Sequence, residues 1–250
     1  MSEPPEGGPG FKFNEAIMSR TYQLGECPED KHMRKLVVGT FLTVDGVMQA
    51  PGGPDEDRDG GFEHGGWSVK YWDEMMGKLI IEQTLQSDAL LLGRKTYEIF
   101  AAHWPRVTDP KDPVASKLNS MRKYVASRTL TKVEWQNSTL LRGDAAKSVA
   151  RLKEQAGGEI GVTGSSNLIQ TLLKHDLIDE FRLWVFPVMV GPGKRLFGDG
   201  TIPGAFQLVD AKVSTTGVAI HRYQRAGKLE HGTFEVDERG RTAALWEDKA

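Results

Sequence analysis

The stretch Asp88-Ala-Leu-Leu-Leu-Gly-Arg-Lys-Thr96 constrains this chain more than any other. Ala89 to Leu92 is a short, wholly apolar run, the pattern of a strand covered on both faces in a parallel sheet. Gly93 interrupts it, and Arg94, Lys95 and Thr96 open a helix whose apolar positions include Tyr97 and Phe100. A helix that begins just past the carboxyl end of a buried strand turns unpaired N–H groups and a partial positive charge outward. Gly93 admits close approach to the backbone, Arg94 adds a cation and Thr96 a hydroxyl, so the turn suits a phosphate. An ordinary β–α turn with a solvated arginine has the same sequence, and the segment alone leaves both readings open.

Alternation of strand and helix signals continues along the chain. Leu36 to Phe41 is a strand candidate, and a second short strand is expected after the Asp45-Gly46 turn pair. Ala50 to Gly66 is a loop with six glycines, two prolines and several acids. Trp72, Met75, Met76, Leu79, Ile80 and Thr84 recur at helical spacing, and a Pro-marked loop covers Trp104 to Pro113. Lys123 to Ala126 is the next strand. Asp144 caps a helix carrying Val149 and Leu152 that is expected to stop at Gly157-Gly158. Glu159 to Thr163 is a strand, Gly164-Ser165-Ser166 starts a helix, and strands follow at Phe181 to Val190, Phe206 to Ser214 and Val218 to Arg225. The order implies an α/β domain with a mainly parallel sheet closed by antiparallel C-terminal strands. Residues 33–227 are expected to form it, after a Pro-, Gly- and Glu-rich leader at 1–32 and before a tail at 228–250, where Gly232 to Val236 would add an edge strand.

Composition excludes several classes. At about 150 residues per domain, 250 residues allow one domain with tails or two small ones, and 39% hydrophobic content supports a real core. A net charge of -2 gives no basis for a nucleic-acid partner or an acidic membrane surface. The longest apolar runs, such as Leu183 to Val190 with Pro187 inside, are too short to cross a bilayer. Residues 1–10 lack the basic and apolar segments of a secretory signal, and Cys27, the single cysteine, leaves no internal disulfide and no metal knuckle. A cytoplasmic protein with no metal is the expectation. Asp55 to Gly60 imitates the start of a calcium loop, but Gly66 stands where the bidentate glutamate belongs, so a solvated acidic loop fits better.

In open α/β sheets ligands settle beyond the carboxyl ends of the strands, and three such ends here carry matching chemistry. They are Gly93-Arg94-Lys95-Thr96, Ser127-Arg128-Thr129 and Gly164-Ser165-Ser166. Each can hold an oxyanion through N–H groups, hydroxyls or a forked guanidinium. One phosphate needs one of them; three point to a ligand with several, such as a dinucleotide with an extra 2′-phosphate. Neither GxGxxG nor a P-loop is present, and GxSxG is not satisfied at Ser165 or Ser166.

Thr43 to Gly46 (TVDG), Gly93 to Glu98 (GRKTYE), His103 to Pro105 (HWP), Ser127 to Thr129 (SRT), Gly164 to Leu168 (GSSNL) and Leu177 to Phe197 stand in an order that resembles the dihydrofolate-reductase-like superfamily. The resemblance is closest to the branch containing the reductase half of the riboflavin-biosynthesis deaminase-reductase, and it spans roughly Arg34 to Arg225. It implies a three-layer α/β/α fold, NADPH as cofactor, hydride transfer to a small-molecule substrate, and a homodimer. By position it implies that Gly93, Arg94 and Thr96 meet the pyrophosphate, that Ser127, Arg128 and Thr129 meet the 2′-phosphate, and that Gly164, Ser165, Ser166 and Leu168 lie along the pyrophosphate and nicotinamide. Thr43, Asp45 and Gly46 belong to the loop over the nicotinamide, which makes Asp45, with Thr43, the catalytic candidates. Thr163 stands where the riboflavin enzymes carry an acidic residue, no deaminase zinc motif is present, and Asp73 and Glu74 sit near the helix start that carries the pterin carboxylate in dihydrofolate reductases. A non-catalytic nucleotide- or flavin-binding homodimer of the same fold is the alternative. His103 is a candidate pocket residue; Trp67, Tyr71 and Trp72 are better suited to the core than to substrate stacking.

Overall fold

The computed structural model describes residues 33–198, 201–237 and 239–246; the expected leader lies outside them. An eight-stranded sheet runs in the order β4-β3-β2-β5-β1-β6-β8-β7. Its strands are β1 (Leu36–Thr43), β2 (Ala89–Gly93), β3 (Arg122–Ala126), β4 (Ser138–Leu141), β5 (Ile160–Thr163), β6 (Glu180–Phe186), β7 (Phe206–Val213) and β8 (Ala219–Arg225). The first six are parallel wherever they pair, and β8 joins β6 and β7 antiparallel. Because β5 lies between β2 and β1, the chain leaves β1 toward β2 and later leaves β5 toward β6 on the other side. A crevice beyond the carboxyl ends opens at such a reversal.

Helices α1 (Glu74–Gln86), α2 (Arg94–His103), α3 (Pro113–Ser120), α4 (Ala145–Lys153) and α5 (Ser166–Lys174) make the outer layers. One face of the sheet presents Leu36 and Val38, Leu91, Ile160 and Val162, which pack with Val149 and Leu152 of α4 and Ile169 and Leu172 of α5 in a single cluster. The opposite face is covered differently. Leu90, Leu92 and Val125 pack with Tyr97 of α2 and Leu118 of α3, while Trp184 and Phe186 pack with Met76 of α1, Phe62 and Trp67. These two clusters are separate, and the middle of β1 lies between them. The three-layer α/β/α arrangement is the expected one.

The departures have local causes. Pro187 ends β6 at Phe186, short of Val190, because proline brings no N–H to a ladder. Helix α4 ends at Lys153, where the Glu154 N–H bonds back to Ala150, before the two glycines are reached. After Asp45-Gly46 there is only an isolated bridge between Val47 and Arg195. Helix α3 and strand β4 were not expected. The Gly232–Val236 segment pairs with Thr242–Trp246 as the separate hairpin β9–β10, which corrects the expected edge strand of the main sheet. Phe234 and Val236 are exposed on it.

Lys123 of β3 is wholly buried. Its ammonium donates to the carbonyls of Leu118, Asn119 and Met121 at 2.7, 3.1 and 2.9 Å, and it stands 4.3 Å from the centre of the Trp135 ring. These are terminal carbonyls of α3, which have no acceptor role left inside the helix. Replacing Lys123 with Met keeps the stem and removes the donors. The expected loss is about 1–3 kcal/mol of stability, the cost of orphaned buried acceptors, read as a lower midpoint in urea unfolding with an unchanged slope.

Candidate functional site

Two strand-to-helix turns meet at one hydroxyl. Ser165, at the N-cap of α5, holds the left-handed conformation at φ 68° and ψ 52°, and Gly164 before it has φ 57°. That double turn brings Ser165 back toward the end of β2. The Gly93 N–H donates to Ser165 Oγ at 2.8 Å, and Ser165 Oγ donates to Thr96 Oγ1 at 2.8 Å. A side chain at Gly93 would meet Ser165 at 3.2 Å, and one at Gly164 would meet Thr96 at 3.2 Å, so both glycines are needed for the approach. The first turns of α2 and α5, with their unpaired N–H groups, thus open on the same space from opposite faces of the sheet.

That space is a cavity of about 1210 Å³. All three phosphate-suited turns line it: Gly93, Arg94 and Thr96; Ser127, Arg128 and Thr129; and Gly164, Ser165, Ser166 and Leu168. Ser127 Oγ accepts the N–H groups of Thr129 and Leu130 at 3.2 and 3.0 Å, which shapes the turn and leaves Arg128 exposed at the rim. Arg94 pairs with Glu98 at 3.2 Å; both are half-exposed, so the pair holds the guanidinium only loosely.

Thr43, Asp45 and Gly46 are placed elsewhere: none lines the cavity. Thr43 is buried, and its hydroxyl donates to Asp45 Oδ1 at 2.5 Å and accepts from the Val47 N–H at 3.0 Å. Asp45 accepts the Gly191 N–H at 2.9 Å. Burial works against its charge, but the Thr43 hydroxyl and the Gly191 and Val190 N–H groups outweigh that and hold its pKa below the ordinary value. The carboxylate pins the turn after β1 to the segment after β6. Asp73 is likewise engaged: it caps α1 through the Met76 N–H and takes two hydrogen bonds from Thr215. Glu74 pairs with Lys78 in solvent. His103 lines the cavity beside Trp104. Trp67, Tyr71 and Trp72 pack around Phe41, Trp184 and Phe186 and do not reach it.

Several lining groups escaped the sequence reading. The loop from Ala50 to Gly66 is folded over the cleft, and Ala50 to Asp57 form part of its wall. Gln49 holds the loop by donating to the carbonyls of Asp57 and Asp59 at 3.1 and 2.9 Å. Lys194 pairs with Asp57 at 2.6 Å and Asp59 at 2.8 Å, and Lys95 of α2 pairs with Asp59 at 3.3 Å. The acidic stretch that imitates a calcium loop is therefore a clasp for two lysines. Deeper in, across the sheet face beneath α1, the wall includes Gly39, Gln83, Ser87, Glu159, Thr163 and Arg182. Arg182 grips Glu159 with both terminal nitrogens at 3.0 and 2.8 Å and gives its Nε to Glu180 at 2.8 Å. Charged residues inside a strand, and a glycine in the middle of another, were the available signals.

Comparison with known proteins agrees with this architecture. The profile of the RibD C-terminal domain family matches residues 34–221, and the chain belongs to that family. Uncharacterized protein YyaP of Bacillus subtilis (strain 168) is 28% identical over 187 residues, 74% of this chain and 92% of that protein. Uncharacterized protein YwjB of the same organism is 29% identical over 195 residues, 77% and 99% of the two chains. Among solved structures, a putative riboflavin biosynthesis protein from Shewanella sp. PV-4 is similar with a TM-score of 0.55 at 22% identity, over 77% of this chain and 99% of that one. The diaminohydroxyphosphoribosylaminopyrimidine deaminase/5-amino-6-(5-phosphoribosylamino)uracil reductase of Thermotoga maritima is similar with a TM-score of 0.51 at 16% identity, over 78% and 58%. The likeness to these structures is one of fold, a three-layer α/β/α sandwich around a mostly parallel sheet.

The clasp has a pH signature. Hydrogen bonds from Lys194 first and Lys95 second lower the Asp59 pKa from 3.8 to about 2. A carboxylate depressed on folding stabilises above its unfolded pKa and loses that contribution as pH falls through the folded one. Amide-exchange protection of residues 52–61 is expected to hold above pH 3.8 and to fall between there and about pH 2. Asp59→Asn should be less protected above that window and show a smaller fall within it.

Proposed function

We propose that this protein is a reductase that takes hydride from NADPH and passes it to a small, flat heterocycle. One observation carries the reading: three turns suited to oxyanions share a single cavity, two of them tied together by Ser165 Oγ. Such a set fits a ligand with three phosphates better than a mononucleotide. The first turns of α2 and α5, with Arg94 and Thr96, would hold the pyrophosphate, and Ser127, Arg128 and Thr129 the 2′-phosphate. Two helix N-termini at one site add favourable partial charge for such an anion.

When bound, the nicotinamide supplies the hydride; the chain's contribution is orientation and exclusion of water. The folded-over loop 50–66, clasped by Lys95 and Lys194, closes one side of the cleft. Because Lys95 lies between Arg94 and Thr96, loop closure and cofactor binding would share one helix turn. The family membership supports a reductase, as does the fold shared with the Thermotoga maritima enzyme.

A second reading follows from the engaged carboxylates. Asp45, Asp73 and Glu159 are all committed to hydrogen bonds, which favours a nucleotide- or flavin-binding module that turns nothing over. Steady NADPH oxidation with any member of a panel of folate, pyrimidine or quinone acceptors decides for the reductase.

Titration with NADPH by protein fluorescence should show binding at micromolar cofactor, and none there removes the proposal. Arg128→Ala is expected to weaken NADPH about ten- to a hundredfold, the worth of a charged hydrogen bond, and to leave NADH nearly unchanged. Equal losses would show that Arg128 does not read the 2′-phosphate.

A further inference from the structure

The inner part of the cleft differs in chemistry from the part lined by the phosphate turns. Gly39 lies in the centre of β1, in register with Thr163 on β5 and Arg182 on β6. It is partly exposed although its strand is fourth from one edge of the sheet and has a helix layer above it. A Cβ built there meets no atom of the described residues within 4 Å. This is where the two hydrophobic clusters on the α1 side leave the sheet uncovered. A strand-interior glycine with open space above it marks a place where a ligand can lie against the backbone. Apolar walls rise on either hand, Ile80 from α1 and Phe100, Trp104 and Met121 from the side of α2 and α3.

Charge pairing then limits what can enter. The Arg and Lys side chains lining the cavity are Arg94, Lys95, Arg128, Arg182 and Lys194. Arg94 and Arg128 belong to the outer turns. Lys95 and Lys194 are paired with Asp57 and Asp59. Arg182, the one beside Gly39, is paired with Glu159 and Glu180, and the three side chains are nearly buried and carry one excess negative charge. Ser87 adds a further hydrogen bond to Glu159 at 2.9 Å. A phosphate or carboxylate placed here would meet a net anionic wall with its guanidinium already spent, and burying such a charge unpaired is costly. A flat uncharged ring meets apolar walls, a backbone floor and the Thr163 hydroxyl.

We infer that the inner cleft is a subsite for a planar, uncharged, unphosphorylated ring lying on Gly39, so that the acceptor of this reductase carries no phosphate. This rests on the reading above, with the phosphate turns given to the cofactor. The test uses lumichrome, an uncharged tricycle, and flavin mononucleotide, the same kind of ring bearing a phosphate, each followed by fluorescence anisotropy with NADP+ in excess. Lumichrome is expected to bind at least tenfold more tightly than flavin mononucleotide. Gly39→Val, a change that suits a strand, should weaken lumichrome at least tenfold, with Gly39→Ala between it and the wild type. The melting temperature and the NADP+ affinity of both variants should match the wild type. Unchanged lumichrome affinity in Gly39→Val, equal or tighter binding of the phosphorylated ring, or no lumichrome binding up to its solubility limit would overturn the inference. Failure of NADP+ to bind would instead sink the cofactor reading, while the response of lumichrome to Gly39→Val still reports on this subsite.

Discussion

Ser165 Oγ accepts the Gly93 N–H and donates to Thr96 Oγ1, and the geometry of the cleft depends on that hydroxyl. It joins the end of β2 to the end of β5, neighbouring strands whose helices leave on opposite faces of the sheet. Without the tie, the first turns of α2 and α5 would be two separate oxyanion sites. The left-handed Gly164-Ser165 pair is the backbone cost of bringing the hydroxyl there, and such strain persists where surrounding structure fixes it. Gly93 and Gly164 complete the arrangement by leaving no side chain between the two turns.

Charge organisation makes a second layer around this junction. Lys95 follows Arg94 in the same helix turn, yet Arg94 faces solvent with Glu98 while Lys95 reaches across to the loop over the cleft. Lys194, just past the turn that Asp45 pins, reaches the same two aspartates from the other side. The loop is thus held by segments that belong respectively to the ligand-facing helix and to the connection after β6. Gln49 contributes uncharged hydrogen bonds from beneath, and these are insensitive to salt where the ion pairs are not.

Much of the fold was legible because buried parallel strands announce themselves as apolar runs. Ala89 to Leu92, Glu159 to Thr163 and the cap at Asp144 all followed from pattern and capping chemistry. Strand β4 was not legible: Ser138–Leu141 is an edge strand of four residues with no fully buried position. Helix α3 had its signal, Asp112 as a cap with Pro113 at the first position, but its eight residues are too few to set up a convincing period. At the site, the three turns could be read because each lies just past the carboxyl end of a strand. The engagement of Asp45 could not, since its partners Gly191 and Val190 are nearly 150 residues away in sequence. The same holds for Arg182 and Glu159, whose pairing depends on β1 separating β5 from β6.

Lys123 has a consequence for the sheet margin. In β3 it pairs with Ser138, and its side chain points into the space closed by α3 and Trp135. Sliding β3 by one residue would turn that ammonium to the opposite side and bring Arg122 inward, where the helix-end carbonyls could no longer be met by the same stem. The ammonium therefore works as a register key, fixing the alignment of β3 beside the edge strand β4.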